Sequence, residues 1–271
     1  MRRRLDQELV RRGLATSRER AQSDIAAGRV LVAGAVADKP ARLVDPGEPL
    51  EVLGPPPRFV SRGGEKLDAA LDRFAVAVAG RTALDAGAST GGFTDCLLQR
   101  GAASVIAVDV GHGQLDHRLR TDPRVSVRER TNVRHLRLDE PVDLVVADLS
   151  FISLRTVATA LVGAARAGPD GGDLVVLVKP QFEAGRVEVS RGRGVVRDPA
   201  TWAAAVQGVQ TAFAAAGAAM MGLMVSPLLG AEGNVEFLAH LRREPAPAAP
   251  AAPAAPAVDI AAVVAAAAPA T

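Results

Sequence analysis

Apolar residues along this chain recur at helical spacing first, then in short β-branched runs, and the pattern changes again near residue 54. Leu5, Leu9, Val10 and Leu14 form a helical stripe that leaves Arg11 and Arg12 outside it. Gly13 closes that helix. Thr16-Ser17-Arg18-Glu19-Arg20 is a capping start for a second one, which Ala21, Ile25 and Ala26 carry to Gly28. Arg29 to Val32, a Gly34 turn with Val36, Lys39 to Val44 and Pro49 to Leu53 predict short strands. Two helices and a few strands over about fifty residues make a marginal core, so residues 1–54 read as an adaptor rather than an enzyme.

Gly54-Pro55-Pro56-Pro57 is a stiff break, and residues 55–64 read as a linker. Glu65 to Phe74 predicts an amphipathic helix with Leu67, Ala70, Leu71 and Phe74 inward and Lys66 in its first turn. From there to Arg243, strand-like runs (82–86, 104–109, 125–128, 142–148, 173–179) alternate with helical ones (92–100, 114–120, 154–167, 201–216). Runs at 219–226 and 234–241 predict a closing hairpin. Such alternation predicts an α/β, Rossmann-like domain over 65–243, with a mostly parallel sheet covered on both faces. Ligands of such sheets bind at the carboxyl ends of the strands, where Asp85, Asp109, Asp148 and Lys179 all fall. Residues 244–271 are alanine and proline with few other side chains, and disorder is expected there.

The stretch Asp85-Ala86-Gly87-Ala88-Ser89-Thr90-Gly91-Gly92-Phe93-Thr94-Asp95 links the first strand of that series to a helix. Its glycines let a ligand approach the backbone, and the helix start offers free N–H groups. Asp109 ends the next strand, where a ribose diol is held in Rossmann-like sites. The loop is G-x-S-x-G-G rather than G-x-G-x-x-G, which favours a nucleoside without a pyrophosphate, such as S-adenosylmethionine. Read as G-x-S-x-G, the same residues are also a nucleophile elbow, with Ser89 as nucleophile and His240 as its base. That hydrolase reading lacks an oxyanion segment ahead of the elbow.

Charge and composition sharpen this picture. The first twenty residues hold seven arginines and three acids, although the net charge of the whole chain is only +2. A basic face of this kind suits a polyanion. Of 32 basic residues only Lys39, Lys66 and Lys179 are lysines, and lysine, unlike arginine, can lose its proton. The single cysteine, Cys96, excludes an internal disulfide, and no apolar leader follows Met1-Arg2-Arg3-Arg4. The expectation is a cytoplasmic protein that does not enter membranes.

Two resemblances rest on longer motifs. Leu5-Asp6, Gly13-Leu14-Ala15, Ser17-Arg18, Ala21, Ile25, Gly28, Val30, Val32 and Lys39-Pro40 resemble an S4 RNA-binding module. The resemblance implies RNA contact by the arginine-bearing face, with Arg3, Arg4, Arg11, Arg18 and Arg20 as its residues. Ser61-Arg62-Gly63-Gly64 with Lys66-Leu67, the glycine loop, Val108 to Leu115, Asp148 to Leu154, Val178 to Glu183, and Ser226-Pro227 with Gly230 and Gly233 to Phe237 resemble an FtsJ-like ribose methyltransferase. The combination is similar to the TlyA family of rRNA cytidine 2′-O-methyltransferases, some of them labelled haemolysins, and covers roughly residues 1–243.

That resemblance implies a class I methyltransferase fold, S-adenosylmethionine as cofactor and ribosomal RNA within ribosomal subunits as partner. Lys66, Asp148, Lys179 and Glu236 match the family's K-D-K-E tetrad, with Lys179 as base and Lys66 assisting. A ribose hydroxyl must lose its proton as it attacks, and a lysine of pKa about 10.4 serves only when burial or a second ammonium favours the neutral amine. Asp85, Gly87, Ser89, Gly91, Gly92, Phe93, Asp109 and Asn132 are the implied cofactor contacts. No metal is implied, since transfer needs only alignment and proton removal. Phe151 or Phe182 would line the pocket of a flipped nucleotide. The rival readings are a catalytically silent RNA-binding protein, a membrane-active haemolysin, and the Ser89 hydrolase.

Overall fold

The computed structural model describes residues 2–15, 18–55, 57–168, 172–184, 194–230, 232–244 and 258–267. It divides into two compact units, Met1–Ser61 and Arg62–Thr271. The predicted capping start at Thr16 and Ser17 and the Pro56 of the stiff break lie outside the described residues, as do residues 245–257 and 268–271 of the tail.

In the first unit the predicted apolar stripes pack inward except at Leu14, which lies beyond the end of the first helix and is exposed. α1 (Leu5–Arg11) and α2 (Arg18–Ala26) bury Leu5, Leu9, Ala21 and Ile25 together with Val30, Val32 and Val44. β2 (Val30–Val32) pairs antiparallel with β3 (Ala35–Val36) and β5 (Leu50–Val52), while β1 (Arg3–Arg4) pairs with β4 (Leu43–Val44).

The second unit is a seven-stranded sheet in the described residues. Its members are β6 (Thr82–Ala86), β7 (Ser104–Val108), β8 (Val125–Arg128), β9 (Leu144–Ala147), β10 (Asp173–Val178), β11 (Ala218–Val225) and β12 (Phe237–Arg243), in the order β11-β12-β10-β9-β6-β7-β8. The five strands from β10 to β8 run parallel, and β12 and β11 close the edge as an antiparallel hairpin. β9 and β10 are buried at every position, the continuous apolar run expected of a strand covered on both faces. The order reverses at β6, so the carboxyl ends of β6 and β9 flank the crevice where ligands enter such sheets.

Several boundaries differ from the pattern in the sequence. α3 spans Arg62–Arg73, three residues earlier than expected, so Lys66 lies in its second turn and Gly63 and Gly64 belong to the helix. The run at 114–120 yields only α5 (His117–Arg120), which Asp116 caps by accepting from Arg118 N. The run at 154–167 breaks into a 3₁₀ turn, Leu154–Thr156, and α6 (Ala158–Ala164), because Ala165 leaves the helix to bridge Val142. The Pro199–Ala215 helix, numbered α8 after α4 (Gly92–Gln99) and α7 (Pro180–Glu183), is held at its start by Asp198.

The expected disorder of 244–271 is corrected over part of its length. α9 (Ile260–Ala267) is a helix, with Val264 buried and Ile260, Val263 and Ala267 packed on the main core beside α8 and β11. Asp259 starts it by accepting from Ala262 N at 2.9 Å. Positions 260, 263, 264 and 267 are an i, i+3, i+4, i+7 stripe, and alanine between them is the strongest helix former. The alanine-proline composition of the surrounding tail hides that short period.

Candidate active site

Five chain segments meet at the carboxyl end of the sheet. The first is the glycine loop after β6. Gly87 and Ala88 donate to Val108 O, at 2.8 and 3.1 Å. A Cβ on Gly87 would stand 2.5 Å from the carbonyl oxygen of Asp148, and φ is +90° there, so only glycine fits. Gly91, at φ +100°, begins α4 under Leu115 and Leu119. Ser89 sits at φ +48° with its side chain outward, while Gly91, Gly92 and Phe93 are buried. Asp109, from the end of β7, accepts from Ser89 N at 2.8 Å and from Gly111 N at 2.6 Å. Its carboxylate therefore shapes the loop as well as ending the strand. Asn132 accepts from Arg134 N at 2.9 Å and caps a 3₁₀ turn, Val133–His135.

Asp85 is placed deeper than a strand-tip acid. It is wholly buried, with Oδ2 accepting from Thr94 Oγ1 at 2.6 Å and Oδ1 receiving no hydrogen bond. Burial pushes its carboxyl from the usual 3.8 up to about 7, with Thr94 opposing the rise and the charges of Asp148 and Asp109 adding to it. The folded protein thus keeps a proton that the unfolded chain has lost, so this group makes stability fall as pH rises from about 4 to about 7. Asp85→Asn should remove that slope. In urea titrations the variant should gain on the wild type with rising pH, by at most about 4 kcal/mol above pH 7. A difference that stays constant from pH 5 to pH 8 would refute the assignment.

The second and third segments form one ion pair. Lys179, just beyond β10, places Nζ 2.6 Å from Asp148 Oδ1 and donates to Ser150 Oγ at 2.9 Å. The contact with Asp148 is close but lacks hydrogen-bond alignment, which leaves that oxygen without a directed donor. The fourth and fifth segments supply the other pair: Lys66 of α3 donates to Glu236 Oε2 at 2.5 Å, with both side chains more than nine-tenths buried. Gly230 leaves room for this carboxylate, since a Cβ there would stand 2.6 Å from Glu236 Oε1. Buried charges persist only when paired, and each lysine here has an acid from a distant part of the chain.

Lys179 and Glu236 line one cavity of about 250 Å³, with Ser150, Phe151, Gln181 and Phe182 among its other walls. This is smaller than the roughly 300–1,000 Å³ of typical ligand clefts. Phe151 is 92% exposed at φ +64° and meets the Phe182 ring at 5.3 Å, and Lys179 Nζ lies 5.9 Å from the centre of the Phe182 ring. A larger cavity of about 600 Å³, between residues 134–141 and α6, contains none of the tetrad. Among the described residues, the buried side-chain oxygens that receive no hydrogen bond are Asp85 Oδ1, Asp148 Oδ1 and Gln181 Oε1. Buried polar atoms are ordinarily satisfied; Asp148 Oδ1 has the Lys179 ammonium 2.6 Å away, which leaves Asp85 Oδ1 and Gln181 Oε1 as the two without a partner.

The four residues singled out by the resemblance therefore form two separate pairs, of which Lys179 and Glu236 line the same cavity. Ser150 escaped sequence reasoning although it lies two residues after Asp148, and nothing in its local pattern sets it apart. The hydrolase reading is overturned. His240 is buried, stacks on Phe74 and bonds through Nε2 to Asp173 at 2.8 Å, at the amino end of β10. Ser89 lies at the opposite end of the sheet, with Gln114 Oε1 3.3 Å from its Oγ.

In the first unit, the candidate arginines are anchored on buried acids. Asp6 accepts from Arg4 Nε and Nη2 at 3.1 and 3.0 Å and from Arg18 at 3.0 Å. Glu8 takes Arg11 at 2.7 and 2.5 Å, with Arg3 3.7 Å away, and Asp24 takes Arg20 at 2.9 Å. The Arg4 guanidinium holds Asp6 well below the usual carboxylate range, and Arg11 followed by Arg12 holds Glu8 down to about 2. Arg3, Arg4, Arg11 and Arg18 keep 40–53% of their side chains exposed, so one edge of each guanidinium still faces solvent.

Comparison with known proteins agrees with this layout. Residues 59–243 match the FtsJ-like methyltransferase family and residues 3–50 the S4 domain. The chain is 54% identical over 245 residues to the 16S/23S rRNA (cytidine-2′-O)-methyltransferase TlyA of Mycobacterium tuberculosis, covering 89% of this chain and 90% of that protein. It is 47% identical to the putative rRNA methyltransferase YqxC of Bacillus subtilis, covering 88% and 85%. A solved structure, a putative hemolysin from Streptococcus thermophilus, matches with a TM-score of 0.74 at 38% identity, over 98% of this chain and 95% of that one. Among the described residues, no helix is long and apolar enough to cross a membrane.

Proposed function

The chain belongs to the FtsJ-like methyltransferase family, in its S4-bearing TlyA branch, and from that premise we propose that it methylates the 2′-hydroxyl of cytidine in ribosomal RNA. The observation that carries this reading is the convergence of Lys179 and Glu236 on one small cavity, each already joined to its tetrad partner.

Bound S-adenosylmethionine supplies an electrophilic methyl group on a sulfonium. The loop residues Gly87, Ser89, Gly91, Gly92 and Phe93, with Asp109 toward the ribose and Asn132 toward the adenine, would hold it. The fit is supported by the unpartnered Asp85 Oδ1, an acceptor suited to the methionine ammonium. Lys179, having first released its ammonium proton to solvent, takes the proton of the attacking 2′-hydroxyl as the neutral amine, while Asp148 and Ser150 keep that amine aimed into the cavity. Lys66, fixed by Glu236, adds positive charge beside the oxygen as negative charge develops on it. Phe151 and Phe182 stand where a base turned out of its stack would rest. The arginines of the first unit grip RNA phosphates, favouring shape over sequence. Such an enzyme works where ribosomal subunits are found, in the cytoplasm.

Incubation of the protein with purified ribosomal subunits and methyl-labelled S-adenosylmethionine tests the proposal. Label should appear on the ribose oxygen of cytidine, resistant to base removal. Methyl mapped to a base nitrogen, or no incorporation into either subunit, would overturn it.

A further inference from the structure

Glu183 takes no part in the tetrad, yet it is a buried carboxylate beside it, 6% exposed at the end of α7. Its Oε2 accepts from Ser153 Oγ at 2.5 Å and its Oε1 from Leu154 N at 2.6 Å, with Arg155 Nε 3.4 Å from Oε2. Burial pushes its carboxyl above the usual value, so the site is costly for a charge. An apolar residue there would spare that cost but leave the buried Leu154 N without its acceptor, while the 3₁₀ turn has a further cap of its own. Ser153 already accepts from Arg155 N at 3.2 Å as that cap.

What Glu183 joins is informative. α7 begins directly after Lys179 and carries Gln181 and Phe182 into the cavity. The segment ending at Ser153 and Leu154 begins with Asp148 and carries Ser150 and Phe151, the latter in a left-handed backbone conformation that its surroundings must hold. Glu183 is the bolt between these two arms, and it does not itself line the cavity. We propose that Glu183 is a positioning residue, fixing the Lys179–Phe182 arm against the Asp148–Phe151 arm and so setting where the acceptor hydroxyl meets the lysine amine. This rests on the methyltransferase reading above.

The test is steady-state methylation of ribosomal subunits with labelled S-adenosylmethionine, at temperatures well below unfolding. Glu183→Ala should lower kcat about tenfold or more, with KM for S-adenosylmethionine within about twofold of wild type, since the cofactor loop is held separately. Glu183→Gln keeps an acceptor for Leu154 and turns a donor toward Ser153, and should recover most of the loss. Ser153→Ala should lower kcat a few-fold by itself and add nothing on top of Glu183→Ala. An unchanged kcat in Glu183→Ala, or additive losses in the double variant, would overturn the inference. If Glu183→Ala does not fold, Ser153→Ala decides alone, and an unchanged kcat in that variant would overturn the inference. A wild type without activity would sink the underlying reading instead, and is thereby told apart.

Discussion

Lys179→Arg should be as inactive as Lys179→Ala, each about 10²–10⁴-fold below wild type in methyl transfer. The pair separates two roles that a single substitution confounds. Arginine preserves a positive charge beside Asp148, but a guanidinium cannot take up a proton from the substrate. If Lys179 contributed only charge, the arginine variant would retain most of the activity. Both variants should bind S-adenosylmethionine with wild-type affinity, because the glycine loop is fixed by Val108 and Asp109 and not by Lys179. Single-turnover rates with saturating cofactor give the comparison directly. An arginine variant within about tenfold of wild type would eliminate lysine as the base.

Glu236→Ala should be the most destabilising change in the site, by about 3–5 kcal/mol, because it leaves the Lys66 ammonium buried without its partner. The carboxylate is enclosed by Gly230 on one side and Lys66 on another, so little relaxation is open to it. Replacing both members by apolar residues, Lys66→Met with Glu236→Leu, should restore most of the lost stability and none of the activity. Urea midpoints and methylation rates on the same preparations test this. A double variant as unstable as Glu236→Ala would mean that the packing of this corner, and not the unpaired charge, dominates.

Much of the second unit was legible in advance, because strands buried on both faces leave runs such as 173–178 that admit no other reading. The rim of acids was legible too, since each one ends such a run. What linear patterns do not carry is pairing. Lys66 and Glu236 are 170 residues apart, and only the sheet order brings the β12 approach beside α3. Glu183 looks like an ordinary acid at a helix end, and its partners 29 and 30 residues earlier become visible only when α7 packs across the loop after β9. Asp85 reads as one more strand-tip acid, although it lies one residue inside the end of β6 with its side chain buried. The terminal helix was missed for a different reason: an eight-residue amphipathic period is easily drowned by the alanine and proline around it.

The anchoring acids of the first unit change what its charge means. A formal count sets Asp6, Glu8 and Asp24 against the arginines and makes this surface look only mildly cationic. Those acids lie beneath the surface, however, and an approaching polyanion meets the guanidinium forks first, already halted in their rotation. Much of the ordering that the proposed RNA contact would exact has been completed during folding, so on that proposal neutralising a negative residue here should loosen the hold on RNA instead of tightening it.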